Sequence, residues 1–511
     1  MSNPWWGSWF NPNGFFSKRI SKSRVDETVQ EKGELVAAGR YSCWRRIRSD
    51  IDMRNVVVLG RGAMGKVQLA TWLGGFNCAV KTLRKKQFSK SDQALLINEV
   101  GLYLSLDHPN IAKLEQVYES RKKIHFVMEH LQGGELLVRL QKAGRFAEEQ
   151  AADAMRQMLL AVAYLHAHWV CHRDLKPENF VFDKVDSNHL KMIDFGFACR
   201  FQEGTRMAQP CGTLHYMAPE VLARSYTELV DVWSMGAVAY VVLCGRSPWH
   251  PYRNSRSETL RRVAKGEVFY CPERFEALSP GSQDYVKSLL TVDPSARPSA
   301  SSALQHDFIR SLAAPSAELD QELVQRLRRV ERISPLRRLC LSMAARRLSS
   351  RETAELRKQF EAADVMHHGS LKLDSFRRLV DDDDNLDADS LFANADLGND
   401  GEIGFNSFVV ASMEQRPHEE ALHYVFSRLD ADKSGTITAR DLFSVLGPTF
   451  EGATMEDLIR EVDPAGVEIS WEAFTEYLLQ TRVRRPTTDV GESSWPPHRP
   501  CPLQRMSCFS R

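Results

Sequence analysis

Five short motifs follow one another between residues 60 and 220, and their fixed order restricts the fold more than any other feature of the chain. They are Gly60-Arg61-Gly62-Ala63-Met64-Gly65-Lys66-Val67, Ala79-Val80-Lys81, His172-Arg173-Asp174, Asp194-Phe195-Gly196 and Ala218-Pro219-Glu220. A glycine-rich turn by itself is a weak signal, because a dinucleotide-binding fold can begin with the same residues. Lys81 on the next strand-like segment, and Glu99 on the helix after it, exclude that alternative.

The motifs carry the groups that phosphoryl transfer requires. Gly60, Gly62 and Gly65 allow the backbone of a hairpin to approach a triphosphate, and Val67 would pack on the adenine. The reaction depends on charge neutralisation and alignment more than on covalent help from the protein. The series therefore predicts that the chain moves a phosphoryl group from ATP to a protein hydroxyl.

Over roughly residues 51–308 the sequence resembles the eukaryotic protein kinase family, which implies a two-lobed α+β fold. By this resemblance, Asp174 orients the substrate hydroxyl or accepts its proton, and Lys176 steadies the transferring phosphoryl group. Asn179 and Asp194 would hold Mg²⁺. A pseudokinase, which keeps the fold without the activity, is disfavoured because the catalytic lysine, the catalytic acid and both metal-binding groups are present.

The resemblance also assigns the nucleotide pocket. Lys81 would pair with Glu99, and Met128 falls at the gatekeeper position. Glu129 to Leu131 would form the hinge that contacts the adenine. Four further residues match the structural anchors of the larger lobe, namely Glu220, Asp231, Trp233 and Arg297.

Two acids indicate the substrate. Glu135 and Glu178 occupy positions that in arginine-directed kinases meet basic side chains upstream of the acceptor, where a carboxylate can bind a guanidinium through two hydrogen bonds. We also include Glu135 among the predicted nucleotide-binding residues. Ordinary surface acids are the alternative. Thr213 and Lys176 favour Ser/Thr over Tyr by the same resemblance, so we expect Ser/Thr acceptors with an upstream arginine.

The activation segment lacks its usual phosphorylation site. Where a threonine commonly lies two residues before the Cys-Gly-Thr of residues 211–213, this chain has Gln209. No phosphate can attach there to pair with Arg173, so another switch must control activity.

The composition changes twice after the predicted kinase domain. Between Leu319 and Arg351 there are nine arginines, and Ser334-Pro335 interrupts the helical pattern, which predicts two helices with Ser334 capping the second. From residue 352 to 480, acids outnumber Lys and Arg by more than two to one. In this acidic part Leu371, Ile403, Ile437 and Ile469 recur every 32 to 34 residues, which predicts four helix-loop-helix units.

One of these units contains a calcium-loop pattern. Such a loop needs oxygen ligands at positions 1, 3, 5, 7, 9 and 12, a glycine at 6 and an apolar residue at 8. The third unit satisfies each position with Asp430, Asp432, Ser434, Gly435, Thr436, Ile437, Thr438 and Asp441. The twelfth residue is Asp rather than Glu, so we expect weaker selectivity for calcium over magnesium.

The other three loops lack ligands. The second keeps Asp396, Asp400 and Glu402, but Gly398 and Ser407 leave positions 3 and 12 without carboxylates, which predicts weak binding. The first loop, which opens at Asp364, and the fourth, which opens at Asp463, are not expected to bind. In the first loop, Met366, His368 and Ser375 stand at ligand positions, whereas the fourth loop is one residue short, contains Pro464 and ends in Ala473.

The order of kinase domain (51–308), basic junction (309–351) and acidic EF-hand module (352–480) resembles the calcium-dependent protein kinases of the plant and protist type. The resemblance implies an all-α calmodulin-like module and a junction that blocks the catalytic cleft until calcium-loaded units pull it away. An arginine-rich run can block a kinase that reads arginine, although a solvated basic helix or a nucleic-acid patch is the alternative. A second alternative is a kinase whose acidic module is a structural brace insensitive to calcium.

The two ends of the chain are read as tails. Residues 1–50 combine aromatic residues with basic ones, and a membrane-surface anchor, a peptide that docks on the kinase domain and disorder are the three interpretations. Residues 481–511 are rich in proline and expected to be disordered. Scattered cysteines and the absence of a leader or a long apolar run predict a cytoplasmic protein, with peripheral membrane contact as the alternative. The kinase and calcium-loop motifs imply ATP, Mg²⁺ and Ca²⁺ as cofactors. We also expect a monomer with protein substrates as partners and no nucleic-acid partner.

Overall fold

The computed structural model describes residues 40–42, 46–62, 65–73, 75–87, 100–249, 255–312, 320–328, 330–380, 387–412 and 418–479. The predicted N-terminal and C-terminal tails, the tip of the glycine-rich turn and Glu99 lie outside these residues almost entirely. Within them, no helix is both long and apolar enough to cross a membrane.

The first lobe is built on a six-stranded sheet with the order β1-β5-β6-β4-β3-β2, in which the short β1 runs parallel to β5 and the other neighbours are antiparallel. Its strands are β1 (Tyr41–Ser42), β2 (Ile51–Gly62), β3 (Gly65–Trp72), β4 (Asn77–Arg84), β5 (Leu114–Glu119) and β6 (Lys123–Glu129). Side chains alternate between the faces of a strand. On β4, Cys78 and Val80 therefore enter a small core with Trp72, while Ala79 and Leu83 join the main core of the molecule. Lys81 lies on the same face as those two residues.

The second lobe is mainly helical. Its helices are α1 (Leu136–Ala143), α2 (Glu148–Ala167), α3 (Pro219–Leu222), α4 (Leu229–Cys244), α5 (Arg256–Lys265), α6 (Pro280–Leu289), α7 (Ala300–Leu304) and α8 (Asp307–Leu312). Four short strands pair beside them, namely β7 (Val170–Cys171) with β10 (Cys199–Arg200) and β8 (Phe180–Phe182) with β9 (Leu190–Met192). Helix α4 is apolar on all sides, as expected of a helix in the centre of a core. This arrangement is the predicted two-lobed α+β fold.

The described residues between 321 and 479 form a separate helical unit with its own core. Its helices are α9 (Gln321–Leu327), α10 (Pro335–Arg347), α11 (Ala354–Ala363), α12 (Leu373–Val380), α13 (Ala388–Ala395), α14 (Phe405–Ser412), α15 (Glu419–Leu429), α16 (Ala439–Leu446), α17 (Met455–Arg460) and α18 (Trp471–Leu479). Short strands lie between them, namely β11 (Ser370–Leu371), β12 (Ile403–Gly404), β13 (Ile437–Thr438), β14 (Thr449–Phe450), β15 (Ala453–Thr454) and β16 (Glu468–Ile469). Leu371 pairs with Ile403, and Ile437 pairs with Ile469. The four repeating apolar residues are thus the contacts that join the helical units two by two.

The junction contains two helices, α9 and α10, which are separated by the Ser334-Pro335 break. Ser334 precedes α10, but its side chain does not cap the helix as predicted, because its Oγ lies 2.7 Å from the Tyr477 hydroxyl. Leu323, Leu327 and Leu339 are buried in the core of the C-terminal unit. The described part of the junction therefore packs as a component of that unit.

Candidate active site and calcium loops

The predicted catalytic residues of the second lobe meet between β7 and β8. Asp174 is buried, and its carboxylate accepts hydrogen bonds from Lys176 Nζ at 2.5 Å and from Thr213 Oγ1 at 2.6 Å. The amide nitrogen of Asn179 donates to the Asp174 carbonyl at 2.8 Å, so the amide oxygen is the atom left for a cation. Asp231 on the buried helix α4 fixes the loop by accepting from the His172 and Arg173 amides, both at 2.8 Å.

Lys81 reaches across the cleft to the second lobe. Its Nζ lies 2.6 Å from Asp194 Oδ1. Burial by itself would raise the pKa of the Asp194 carboxyl, but the Lys81 ammonium has the opposite effect. The net result is that the pKa of Asp194 lies below its ordinary value. Lys81 and Asp194 come from segments 113 residues apart, and the cleft brings them together. The predicted partner Glu99 lies outside the described residues.

The glycine-rich hairpin joins β2 and β3, where Gly62 pairs with Gly65. A side chain at Gly65 would meet the Thr82 carbonyl oxygen at 2.5 Å, which explains why this position takes glycine. A Cβ at Gly60 would meet nothing within 4 Å, so there the space is open for a ligand. Val67 packs against the main core beneath the hairpin.

The hinge side of the cleft has charged side chains that face away from the nucleotide pocket. Glu129 accepts from Lys191 Nζ at 2.7 Å and from the Lys113 amide at 2.6 Å. Met128 is buried in the main core, and Leu131 is partly exposed. The Glu129 side chain therefore braces the hinge, and the Glu129 amide donates to the Lys113 carbonyl at 3.0 Å.

Glu135 and Glu178 lie near each other at the substrate side of the second lobe. Burial raises the pKa of Glu135, and the Glu178 carboxylate raises it further. Glu178 Oε2 is buried with no hydrogen-bond partner among the described residues. Two acids held close together without a cation favour the approach of a positively charged group.

In the third loop of the C-terminal unit, carboxylate oxygens of Asp430, Asp432 and Asp441 all lie within 4.8 Å of one another, and this is the one such group of three in the described part of the chain. The loop is held in shape by its own backbone, because Asp430 accepts from the Ser434 and Gly435 amides at 3.1 and 3.0 Å. Gly435 has a φ of 92°, which favours glycine at position 6. The predicted ligand Thr436 donates its hydroxyl to Glu468 at 3.0 Å, and its carbonyl, the group that position 7 supplies in such loops, accepts from the Ser434 hydroxyl at 3.2 Å.

The second loop places its acids differently. Burial, together with the neighbouring Asp400 carboxylate, raises the pKa of Asp396 to about 6. Glu402 turns out of the loop, since its carboxylate lies 3.0 Å from His168 of the second lobe and accepts from Ser370 at 2.6 Å. The side chain of Glu402, predicted as a weak calcium ligand, thus contacts the kinase-like domain.

The C-terminal unit packs against the two lobes on the hinge side. Arg347 lies 2.7 Å from Glu115 on β5. Lys113 donates to the carbonyls of Arg346 and Leu348, each at 3.1 Å. The arginines at the end of α10 are thereby held at the hinge. The sequence contains no local signal for these contacts, because the partners are more than 200 residues apart.

The contact also includes the third loop. Arg428 on α15 donates to Gln116 at 2.6 Å and lies 3.4 Å from Asp50, just before β2. Lys433, inside the loop, donates to the Ser49 carbonyl at 2.6 Å. Neither basic residue stood out in the sequence, because each resembles any other charged residue of a surface helix or loop.

Comparison with known proteins agrees with this geometry. The protein kinase domain family matches residues 53–309. Calcium-dependent protein kinase 21 of Arabidopsis thaliana is 32% identical over 418 residues, which cover 79% of this chain and 78% of the relative. Calcium-dependent protein kinase 5 of Plasmodium falciparum is 30% identical over 431 residues, which cover 81% of this chain and 75% of the relative. The fold and the cleft define a protein kinase. Within that class, the chain belongs to the calcium-dependent protein kinase family.

Proposed function

We propose that this chain is a Ser/Thr protein kinase that phosphorylates arginine-containing sites and is activated by calcium. The observation that carries the catalytic part is the contact of Asp174 with both Lys176 and Thr213. A substrate hydroxyl approaching Asp174 would meet an oriented carboxylate, with the Lys176 ammonium beside it to balance the negative charge of the phosphoryl group.

The cleft fits ATP and magnesium. Mg²⁺ prefers oxygen ligands, and the Asp194 carboxylate and the Asn179 amide oxygen are of that kind. When bound, the metal neutralises charge on the phosphates. Lys81 supplies a further positive charge at Asp194, and the open space at Gly60 admits a ligand beneath the hairpin.

Glu135 and Glu178 support the preference for arginine. Burial and the nearby Glu178 carboxylate raise the pKa of Glu135, and a buried oxygen of Glu178 has no donor among the described residues. A guanidinium would supply both the charge and the hydrogen bonds. Replacing each with Gln should raise the KM for an arginine-containing peptide and leave the KM for ATP unchanged.

We further propose that residues 352–480 are a calmodulin-like module of four EF-hand units, of which the third binds Ca²⁺. Support comes from the three clustered carboxylates and from the backbone hydrogen bonds that shape the loop. In the second loop, carboxylate oxygens of Asp396, Asp400 and Glu402 do not all lie within 4.8 Å of one another. The Glu402 side chain contacts His168 instead.

The third loop and the hinge contact suggest how calcium controls the kinase. Arg346 and Arg347 are held at Asp107 and Glu115, away from the acids of the substrate side. In this arrangement the described junction leaves Glu135 and Glu178 without an arginine. We propose that it corresponds to the active kinase, and that without calcium the module releases the junction, which then blocks the cleft.

The test is peptide phosphorylation with excess calcium and with chelator, in the full chain and in a chain truncated near residue 310. We expect calcium to stimulate the full chain and to leave the truncated chain unaffected. Equal rates of the full chain in both conditions would instead support the second candidate, a calcium-insensitive structural brace, which the extensive buried hinge contact also suits. The variant Lys81→Met provides the inactive reference.

A further inference from the structure

Arg173, in the catalytic loop, holds the activation segment although that segment has Gln209 at the usual position of a phosphorylated residue. Its Nε donates to the Phe197 carbonyl at 2.7 Å, and its Nη1 lies 3.4 Å from the Tyr226 hydroxyl. Arg173 makes no ion pair with any residue that the structure describes. Its hydrogen-bond partners here are therefore neutral oxygens.

Tyr226 connects this arginine to the far end of the segment. Its hydroxyl donates to the Gln209 carbonyl at 2.5 Å, and its backbone forms two hydrogen bonds with Met207, at 2.8 and 3.0 Å. The side chain is only 1% exposed. The buried Tyr226 hydroxyl thus accepts from the Arg173 guanidinium and donates to the Gln209 carbonyl. Neither hydrogen bond can form without this hydroxyl.

We propose that the Tyr226 hydroxyl is the positioning group that keeps the activation segment in its active shape without a phosphate. Arg173 precedes Asp174, and Gln209 lies four residues before Thr213, whose hydroxyl donates to Asp174. Tyr226 thereby connects the catalytic loop, through Arg173, to the part of the activation segment that precedes Thr213. The proposal rests on the proposed kinase activity, and it concerns how the peptide platform is held.

The test compares three variants of the full chain in saturating calcium. Tyr226→Phe removes the hydroxyl alone. Tyr285→Phe is the matched control, because Tyr285 is equally buried in the same lobe and its hydroxyl has no partner among the described residues. Gln209→Ala removes a side chain but keeps the carbonyl that accepts from Tyr226.

We expect Tyr226→Phe to lower kcat/KM for the peptide by about tenfold, mostly through KM, and to leave the KM for ATP within about twofold. Trypsin should also cleave more rapidly after Arg206, which lies in the segment that Tyr226 holds. Both control variants should match the unmodified chain in all three measurements. Phosphatase treatment should leave the activity of the unmodified chain unchanged.

Three results would overturn the proposal. They are a Tyr226→Phe variant with normal peptide kinetics, a rise in the KM for ATP equal to that for the peptide, and loss of activity when phosphatase removes a phosphate from residues 195–220. An unmodified chain that phosphorylates nothing, even when truncated near residue 310, would show instead that the proposed kinase function is wrong.

Discussion

The Arg428 guanidinium lies 3.4 Å from the Asp50 carboxylate, and the two side chains are only 6% and 7% exposed. Asp50 immediately precedes the strand that leads into the glycine-rich hairpin. Arg428 lies two residues before Asp430, the first residue of the third loop. A buried ion pair thus joins the calcium loop to the nucleotide-binding lobe.

Replacing Arg428 with Met should uncouple the module from the kinase domain. Removal of the guanidinium takes a charged hydrogen-bond donor away from the buried Asp50 and Gln116, and the loss of one partner of a buried ion pair typically costs about 3–5 kcal/mol. We expect calcium-stimulated peptide phosphorylation to fall at least about tenfold, while a chain truncated near residue 310 keeps its activity. The control is Arg460→Met, because Arg460 is 58% exposed and pairs only within its own helix, with Asp457. Full stimulation of the Arg428 variant would contradict the coupling.

Replacing Lys433 with Met should separate calcium binding from activation. Lys433 occupies position 4 of the loop, which is not a ligand position, and its ammonium donates to the Ser49 carbonyl. We expect an unchanged calcium affinity in calorimetry, but a calcium concentration for half-maximal activity that rises by about two- to fivefold. Lys358→Met, on an exposed residue of the same module, should change neither quantity. A parallel change in both quantities would mean that Lys433 affects the loop rather than the contact.

The twelfth residue of the third loop should set its choice of metal. Asp441 is short, and its carboxylate is already engaged by the Thr438 and Ala431 amides at 2.9 and 3.1 Å. Asp441→Glu should raise the calcium affinity relative to magnesium by on the order of tenfold in calorimetric titrations of the full chain. Asp430→Asn should abolish the calcium heat, whereas Asp400→Asn in the second loop should leave it intact. Loss of the calcium-binding heat in the Asp400 variant would show that the second loop, rather than the third, binds calcium.

Acidification should destabilise the protein through His108. Burial lowers the pKa of this histidine to about 3. Its imidazole therefore stays neutral in the folded chain, whereas in the unfolded chain it gains a proton below about pH 6.5. Stability is therefore complete above pH 6.5 and is lost as the pH falls, by about 1 kcal/mol at pH 5.5 from this residue. Thermal unfolding with chelator should be less dependent on pH in His108→Asn than in the unmodified chain. His418→Asn, on an exposed residue, should keep the original dependence, and an unaltered profile in both variants would exclude His108 as the cause.

The sequence was sufficient for the features that depend on local patterns. The motif series predicted the two-lobed kinase fold, and the family comparison confirms it. The repeat of Leu371, Ile403, Ile437 and Ile469 predicted helical units, and the structure adds which ones pair. Pro335 predicted two helices in the junction, and the structure contains both, with α10 beginning at Pro335 itself and α9 ending earlier, at Leu327.

Other features required partners that are distant in sequence. Glu402 is predicted as a weak calcium ligand, and the structure adds that its side chain contacts His168 and Ser370. Ser334 looked like a helix cap, but Tyr477 takes its hydroxyl. In each case the hydrogen-bond partner lies far away in the sequence, so the local pattern could not predict it.

By itself, the sequence determined the class of enzyme and predicted its catalytic groups and a calcium site in the third loop, because glycine turns, strand-borne lysines and ligand spacing are properties of short segments. Only the tertiary structure decided where the junction lies, that Arg428 meets Asp50, and that Tyr226 joins Arg173 to Gln209. These contacts join segments separated along the chain, and the buried polar groups meet their partners only once the lobes and the C-terminal unit have packed together.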